Sequence, residues 1–358
     1  MRRRIGSRLD LCRFAHLLST GRARLVAAKL GTRPMNLLPS PNRSAHRVAR
    51  PAARAAGILA LGALAVFSAA PPLAGTAHAA DPVGAVFLRV GVGARAAALG
   101  DADIVGSTDA SALHWNPAGL ALLPRRELLL LHNEWLADVR QEYVGGVFPV
   151  GRGGFGVGMN GFYVDNIPRF IEDVPEAEAQ GDFGAYDLAV LAGYGRRLAE
   201  PVSVGITVKA IAQKIDIESA YDAAVDVGMI YRTPYEGLDA GIVVSNIGPP
   251  IDFLGVSAAL PLETRAGLGY RRPLGPFRAS LYGLFHASRR LNPRAHFGAE
   301  LTTHGVSLRA GAKTGYDAED ASYGMGYAVG RFGFDYAFVP FSEDLLGEAH
   351  RVSVSFSP

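Results

Sequence analysis

The sequence predicts an all-β fold: a 14-stranded antiparallel transmembrane β-barrel, preceded by a short N-terminal plug that contains a helix. Three observations predict it. Apolar and polar residues alternate with period two in stretches of about ten residues, the connections between these stretches alternate between short and long, and the N-terminus has the features of an export signal. The alternating stretches begin at residue 127, so the barrel is assigned to residues 125–358.

The alternation is clearest between Val202 and Gln213. The even-numbered residues there are all aliphatic, whereas the odd-numbered ones include Ser203, Thr207 and Lys209. The same split recurs over residues 225–231 and 306–313. A strand of this kind presents one face that suits lipid and one that suits a polar interior.

Fourteen such stretches follow one another along the chain, and an even number returns both barrel ends to the same side of the membrane. Connections after odd-numbered strands include the long ones at 165–181 and 247–259, and those after even-numbered strands are tight. The first outer connection, near 138–140, is a short exception. The predicted strands are 127–138, 141–150, 153–164, 182–196, 201–215, 221–233, 236–247, 260–272, 275–288, 293–303, 305–315, 319–329, 331–341 and 348–357.

Charged residues within these strands fall on the polar face. A Lys or Arg facing lipid costs about 2 to 4 kcal/mol at the bilayer midplane, so the alternation predicts that these side chains point into the lumen. We expect them to pair with one another or with the plug. They are Asp187, Lys209, Asp226, Asp239, Glu300, Arg309, Lys313, Asp335 and Arg351.

The N-terminal region separates from the rest by charge. Residues 1–79 hold 13 basic residues and one acidic residue, which leaves 23 basic and 32 acidic residues, a net charge of −9, in the remainder. Basic residues between Arg43 and Arg54, the apolar stretch Gly57–Ala70 and the sequence Ala77-His78-Ala79 have the order of a signal peptide with its cleavage site. Cleavage is expected before Ala80.

The start of the chain has two candidates, Met1 and Met35. A signal peptide of ordinary length opens at Met35, so residues 35–79 are assigned to the signal peptide and residues 1–34 to an upstream extension that is not part of it. The single cysteine, Cys12, lies in this extension. The exported part therefore has no thiol for catalysis or for a disulfide.

Residues 80–124 are assigned to the plug. From Ala110 to Leu123 the spacing of apolar residues is typical of a short helix, which Pro117 limits. Gly119 permits backbone geometry that other residues avoid, so the Asn-Pro-Ala-Gly sequence predicts a turn. Taken alone, it is equally well explained as an ordinary turn that ends a helix.

The segment FLRVGVGARAAALGDADIVGSTDASALHWNPAGLALL, followed by EWLADVRQEYVGG, resembles the opening of PorV/PorQ-type proteins. These belong to the FadL-like barrels of Gram-negative outer membranes. The resemblance is dense over about fifty residues and architectural beyond them. It implies an outer-membrane location and an NPA segment in a plug inside the barrel, with a plug or gating role for Trp115, Asn116, Pro117, Ala118 and Gly119.

The resemblance leaves two functions open, with a third class beside them. FadL relatives resemble channels for hydrophobic small molecules, whereas PorV-type proteins are similar to components of type IX protein secretion. A structural surface barrel without transport is the third possibility. The expected partners are outer-membrane lipid, the barrel-assembly machinery that recognises a closing strand such as HRVSVSFSP, and either hydrophobic small molecules or exported proteins, with no nucleic acid. The oligomeric state is left open.

Enzymatic and cofactor chemistry finds little support. Gly91, Gly93 and Ala96 match G-x-G-x-x-A, but consecutive strands follow where a dinucleotide fold needs a helix and a parallel strand. The acids from Asp101 to Asp109 lack the residues of a calcium loop, since Ala112 stands where that loop needs a bidentate ligand. The nine histidines have no metal-binding spacing, and we predict no enzyme, cofactor or resident metal. Four acids of the long loop bind cations weakly at most: Glu172, Asp173, Glu176 and Glu178.

Overall fold

The barrel and the segment that precedes it are seen in a computed structural model that describes residues 82–169, 181–253, 255–288, 291–342 and 347–358. The predicted upstream extension and signal peptide lie outside the described residues. So do the four acids of the long loop.

Fourteen strands form one closed barrel, in which each strand pairs antiparallel with its neighbours in sequence and the last strand pairs with the first. This confirms the predicted 14-stranded antiparallel barrel. The wall consists of β1 (Glu127–Glu134), β2 (Arg140–Val150), β3 (Gly153–Pro168), β4 (Asp182–Ala199), β5 (Val202–Ile215), β6 (Glu218–Arg232), β7 (Leu238–Ile247), β10 (Glu263–Leu274), β11 (Phe277–Ser288), β12 (Leu291–Thr303), β13 (Val306–Thr314), β14 (Ala321–Val329), β15 (Phe332–Pro340) and β16 (Glu348–Phe356).

The observed strands differ from the predicted ones mainly at two connections. Strand β1 ends at Glu134, because Leu136–Asp138 form a 3-10 turn in which Ala137 and Asp138 have positive φ of 52° and 60°. The connection after β7 contains a small hairpin, β8 (Ile251–Phe253) and β9 (Val256–Ala258), which the sequence pattern does not predict. Strands of three residues are too short to show alternation.

The two ends of the barrel differ. At the turn end, strands are joined by residues 151–152, 200–201, 233–237, 275–276, 304–305 and 330–331, and the barrel begins and ends there. At the loop end lie the longer connections, among them the one that carries β8 and β9. No helix in the described part of the chain is long and apolar enough to cross a membrane.

The outer face of the wall is apolar. Side chains such as Val190, Ile206 and Val208 are between 45 and 49 % exposed, whereas the residues between them are buried. Aromatic residues gather near the turn end, as in the girdle that transmembrane barrels place at a membrane surface. They include Phe148, Phe155, Tyr194, Tyr231, Tyr327, Phe332 and Phe334. A closed barrel with this apolar band is a transmembrane barrel of the outer-membrane type.

Residues 82–124, called the inner segment below, occupy the inside of the barrel. The segment begins at the loop end, where Val83 forms a parallel bridge with Ala259, and it ends at the turn end, where it continues into β1. Its regular structure is short: the 3-10 turn Val86–Arg89, α1 (Ala94–Ala98), α2 (Ala112–Trp115) and the 3-10 turn Pro117–Leu122.

Candidate functional site: the inner segment and its seat

The Asn-Pro-Ala-Gly turn joins α2 to the following 3-10 turn. Asn116 has an extended backbone with φ −163°, and its side-chain oxygen accepts a hydrogen bond from the Ala118 N–H at 3.1 Å. Its Nδ2 donates to the Ile104 carbonyl oxygen at 3.1 Å and to that of Met229, in β6, at 3.3 Å. One side chain therefore caps the turn and attaches it to the wall.

Gly119 serves close packing rather than an unusual backbone angle. It is not among the residues with positive φ, contrary to the reason that its sequence context suggested. A Cβ at this position would overlap the carbonyl oxygen of Ser107, so only glycine lets these two parts of the inner segment approach. Pro117 and Ala118 are buried beside it.

Trp115 is buried and held on two sides. Its indole Nε1 donates to the Val92 carbonyl oxygen at 2.7 Å. The guanidinium of Arg265, from β10, lies over its ring at 5.3 Å from the centroid. The tryptophan thus joins two stretches of the inner segment and carries a cation–π contact to the wall.

Glycines on the inner face of the strands make room for this segment. A Cβ on Gly195 would lie 2.6 Å from the Pro117 carbonyl oxygen, and one on Gly298 would lie 2.6 Å from the Leu99 carbonyl oxygen. Glycine within a strand is typical of places where another backbone approaches closely. Backbone of the inner segment also approaches Gly154, Gly205 and Gly311. At Gly228, Gly241, Gly269 and Gly324 the glycine makes room for a side chain of the inner segment instead.

A chain of five charges links the inner segment to three strands of the wall. Arg95 in α1 pairs with Asp103 and, at 3.2 Å, with Glu300 of β12. Glu300 also accepts from Arg309 of β13 at 2.7 Å, and Arg309 lies 2.6 Å from Asp335 of β15. Because the five charges alternate in sign, each of them is removed from water next to an opposite charge.

A second link joins Asp101 to β13. The Lys313 ammonium lies 2.6 Å from Asp101 Oδ2 and 2.6 Å from Glu319 Oε2. Burial by itself raises the pKa of the Asp101 carboxyl, but the ammonium of Lys313 and the guanidinium of Arg351 together hold that pKa at about 2, below its usual range. Asp101 is therefore ionised and bound to the wall at neutral pH.

A third link was not predicted from the sequence. Glu263 of β10 lies 3.5 Å from Arg89 of the inner segment, 2.6 Å from Arg265 and 3.2 Å from the ring nitrogen of His286 in β11. Glu263 and Arg265 are odd-numbered residues of an alternating stretch, as Arg309 and Lys313 are. The signal that identified those two was therefore present here as well.

The remaining predicted lumen residues also lie on the inner side of the wall. Lys209 is buried within 2.7 Å of Asp226 and of the Asn246 side-chain oxygen. Arg351 donates to the Gly91 carbonyl oxygen at 3.2 Å. Asp187 accepts from Gln213 at 2.8 Å, and Asp239 pairs with Arg271.

His114 is the one histidine of the inner segment, and it is fully enclosed. Burial lowers its pKa well below the usual value, and the charges of Arg265 and Lys209 act in the same direction. The imidazole is therefore neutral in the folded protein. In the described part of the chain, no group of three or more metal-ligating side chains is placed to hold a metal ion.

A polar cavity of about 50 Å³ lies between the inner segment and β1, β15 and β16. Its lining includes Arg95, Asp109, Glu127 and Asp335, together with several serines. The five predicted gating residues do not line it. Asn116, Pro117 and Ala118 pack against glycines of the wall. Gly119 packs against Ser107 and Trp115 against Gly91, within the inner segment. The cavity is therefore polar and has room for a few water molecules at most.

The geometry defines a class of protein: an outer-membrane barrel whose lumen is occupied by the segment that precedes its first strand. Among solved structures it is similar to the CymD monoaromatic hydrocarbon channel, with TM-score 0.55 and 12 % identity over 75 % of this chain and 98 % of that one. It is also similar to a TodX monoaromatic hydrocarbon channel carrying the deltaS2S3 mutation, with TM-score 0.51, 12 % identity and coverage of 75 % and 98 %. A FadL homologue from Pseudomonas aeruginosa matches with TM-score 0.46 and 10 % identity over 72 % and 96 %.

The sequence comparisons are less specific. The profile of a family described as "Uncharacterised protein family (UPF0164)" matches residues 65–226. No curated protein matches the sequence. The matching family carries another description than the PorV/PorQ type, so that resemblance stays a prediction. The barrel fold itself is shared with the CymD and TodX channels.

Proposed function

We propose that the protein is an outer-membrane channel for small hydrophobic molecules and that the inner segment is its closed gate. Support for the substrate class comes from one feature of the lumen. A single cluster of buried apolar residues extends from the loop end to the turn end, and the wall residues in it come from β1 to β6 and the β8–β9 hairpin, none from β10 to β16. It supplies an apolar route along one side of the barrel, beside the buried Lys209–Asp226 pair of β5 and β6.

The inner segment fills this route in the observed state. Near the loop end, Phe87 packs edge-on against Phe162 of β3, with ring centroids 5.7 Å apart. Near the turn end, Leu113 and Leu120 belong to the same cluster as Val147 of β2. An apolar molecule can take the place of these side chains at little cost, because it replaces apolar contacts with similar ones.

The opposite side of the segment supplies the closure. There Arg95, Asp101 and Arg89 pair with carboxylates and a lysine of the wall. These pairs are specific in position and lose much of their stability if one partner moves away. The inner segment therefore makes apolar contacts on the side that faces the route. Ion pairs hold its opposite side to the wall.

The test is uptake from dilute solution by cells that lack other hydrocarbon channels and carry the wild-type protein or one variant. Toluene and glycerol serve as the apolar and polar probes. We expect protein-dependent uptake of toluene, increased by Lys313→Met because this change releases Asp101, with glycerol uptake unaffected. The matched control is Lys214→Met, which removes an exposed lysine of β5.

Two outcomes would contradict the proposal. The first is toluene uptake equal to that of cells without the protein in both the wild type and Lys313→Met, with the barrel present in the outer membrane. The second is an increase in glycerol uptake alone, which would make the released lumen a polar pore.

A further inference from the structure

A polar patch interrupts the apolar outer face of the barrel at the loop end of β1 and β2. His132 Nδ1 lies 2.7 Å from Glu142 Oε1, and its Nε2 lies 3.8 Å from Glu134 Oε1. All three side chains face outward and are 46 to 68 % exposed. Ionised groups on the lipid-facing side are costly unless they meet a polar partner.

The apolar band is also shorter on this side. On β5 the outward residues are apolar from Val202 to Ala212, which corresponds to about 25 Å of membrane height at a rise of 3.3 Å per residue and a tilt near 40°. On β16 they are apolar only from Val352 to Phe356, about 10 Å. The patch therefore begins where the other side of the barrel is still covered by lipid.

A groove of about 360 Å³ adjoins the patch and crosses the outer face of β16, β1, β2 and β3. It is lined mainly by apolar residues, and His132 and Glu142 belong to its lining. Gly161 leaves its floor open on β3, because it has no side chain there. The other lining residues include Leu130, Val144, Met159, Val352 and Val354.

We propose that this groove binds an acyl chain of a phospholipid whose head carries a primary ammonium group, and that Glu142 and Glu134 bind the ammonium. The groove suits a flexible apolar chain. The carboxylates at its edge accept hydrogen bonds from the three N–H donors of an ammonium group. The nearby cation, Arg140, stacks over the ring of Tyr163 at 5.9 Å. The patch thus favours a cationic head over a phosphate alone.

A second copy of the chain fits the groove less well. In a two-fold dimer the same surface meets itself, so a concave patch would face a concave patch and leave a void. A lipid chain fills the concavity without that restriction. This inference is independent of the proposed transport function.

The test uses the full-length protein, purified in detergent and mixed with equal amounts of ethanolamine-headed and glycerol-headed phospholipids that carry identical acyl chains. Native mass spectrometry then measures which lipid stays bound. We expect a roughly three- to fivefold preference for the ethanolamine-headed lipid, the size of effect that one exposed ion pair provides. Glu142→Gln combined with Glu134→Gln should keep the groove and abolish the preference.

Gly161→Leu should fill the groove and reduce retention of both lipids. A Cβ at Gly161 would meet its nearest neighbour, Leu188, at 3.8 Å, so the strand accommodates a side chain. Gly283→Leu is the matched control, because Gly283 faces outward on β11 with its nearest neighbour, Phe297, at 4.0 Å. Equal retention of the two lipids by the wild type would overturn the proposal. So would equal retention by the two leucine variants, or a bound second copy in place of lipid.

Discussion

Replacing Lys313 by Met should loosen the inner segment without opening the barrel wall. The ammonium of Lys313 is nearly buried and binds Asp101 and Glu319 at 2.6 Å each. Its removal leaves the Asp101 carboxylate enclosed, with Arg351 as the remaining nearby cation. Asp101 lies on the inner segment and Lys313 on the wall, so the lost contact is one that holds the two together.

The size of the effect follows from the burial of the pair. Breaking a buried ion pair by removing one partner costs about 3 to 5 kcal/mol, because the other charge is left without compensation. Arg351 still attracts Asp101, so we expect the lower part of this range. At about 1.4 kcal/mol per factor of ten, the open population of the inner segment should rise roughly 150-fold or more.

Cysteine labelling measures that population. The described chain has no cysteine and the sequence has only Cys12, so Ala102→Cys in a Cys12→Ser background gives a single thiol beside Asp101. Ala102 is 1 % exposed, and its labelling therefore requires local opening. The labelling rate should rise by the factor above in Lys313→Met and stay unchanged in Lys214→Met.

A second substitution separates charge from packing. Asp101 has a positive φ of 57°, which asparagine tolerates, so Asp101→Asn keeps the backbone while it removes the charge. The double variant Asp101→Asn with Lys313→Met should label more slowly than Lys313→Met alone, since residue 101 then carries no charge that lacks the lysine. Equal labelling of these two variants, or no increase in Lys313→Met, would refute the electrostatic argument.

The remaining predictions concern pH and packing. The pKa of Asp101 is lowered to about 2, so the stability from its pair with Lys313 is present above about pH 4 and is lost as the pH falls toward 2; acid titration of the labelling rate checks this. Burial lowers the pKa of His114, so the unfolded chain binds a proton below about pH 6.5 that the folded protein does not. Stability should fall as the pH drops below that value, and His114→Gln should reduce the slope in denaturant titrations at several pH values. Gly205→Ala places a Cβ against the turn of the inner segment and should destabilise the folded form by about 1 to 3 kcal/mol, whereas Gly283→Ala should not, as measured by heat-modifiable migration.

Much of the barrel could be predicted because its strands obey a local rule. A strand between lipid and a packed lumen must alternate residue by residue, and the cost of a misplaced charge maintains that pattern in the sequence. The strand from Val202 to Ile215 shows this well, since its even-numbered residues face outward and Ser203, Thr207 and Lys209 are buried. The β8–β9 hairpin lacks that length and left no such signal.

The candidate site was predictable in composition and only partly in arrangement. The alternation indicated that Arg309 and Lys313 face inward. It could not show that Arg309 shares Glu300 with Arg95, or that Lys313 pairs with Asp101. The glycines within the strands carried a further signal. Glycine in the middle of a strand marks a close approach of backbone, which here is the inner segment against Gly195 and Gly298.

The sequence by itself determined the number of strands in the barrel wall and which face of each strand meets lipid, because both follow from spacing along the chain. Only the tertiary structure decided where the inner segment lies against those strands. Its contacts join residues far apart in sequence, such as Asp101 with Lys313 and Asn116 with Met229. Closing the barrel brings these partners together, and no periodicity along the chain records that closure.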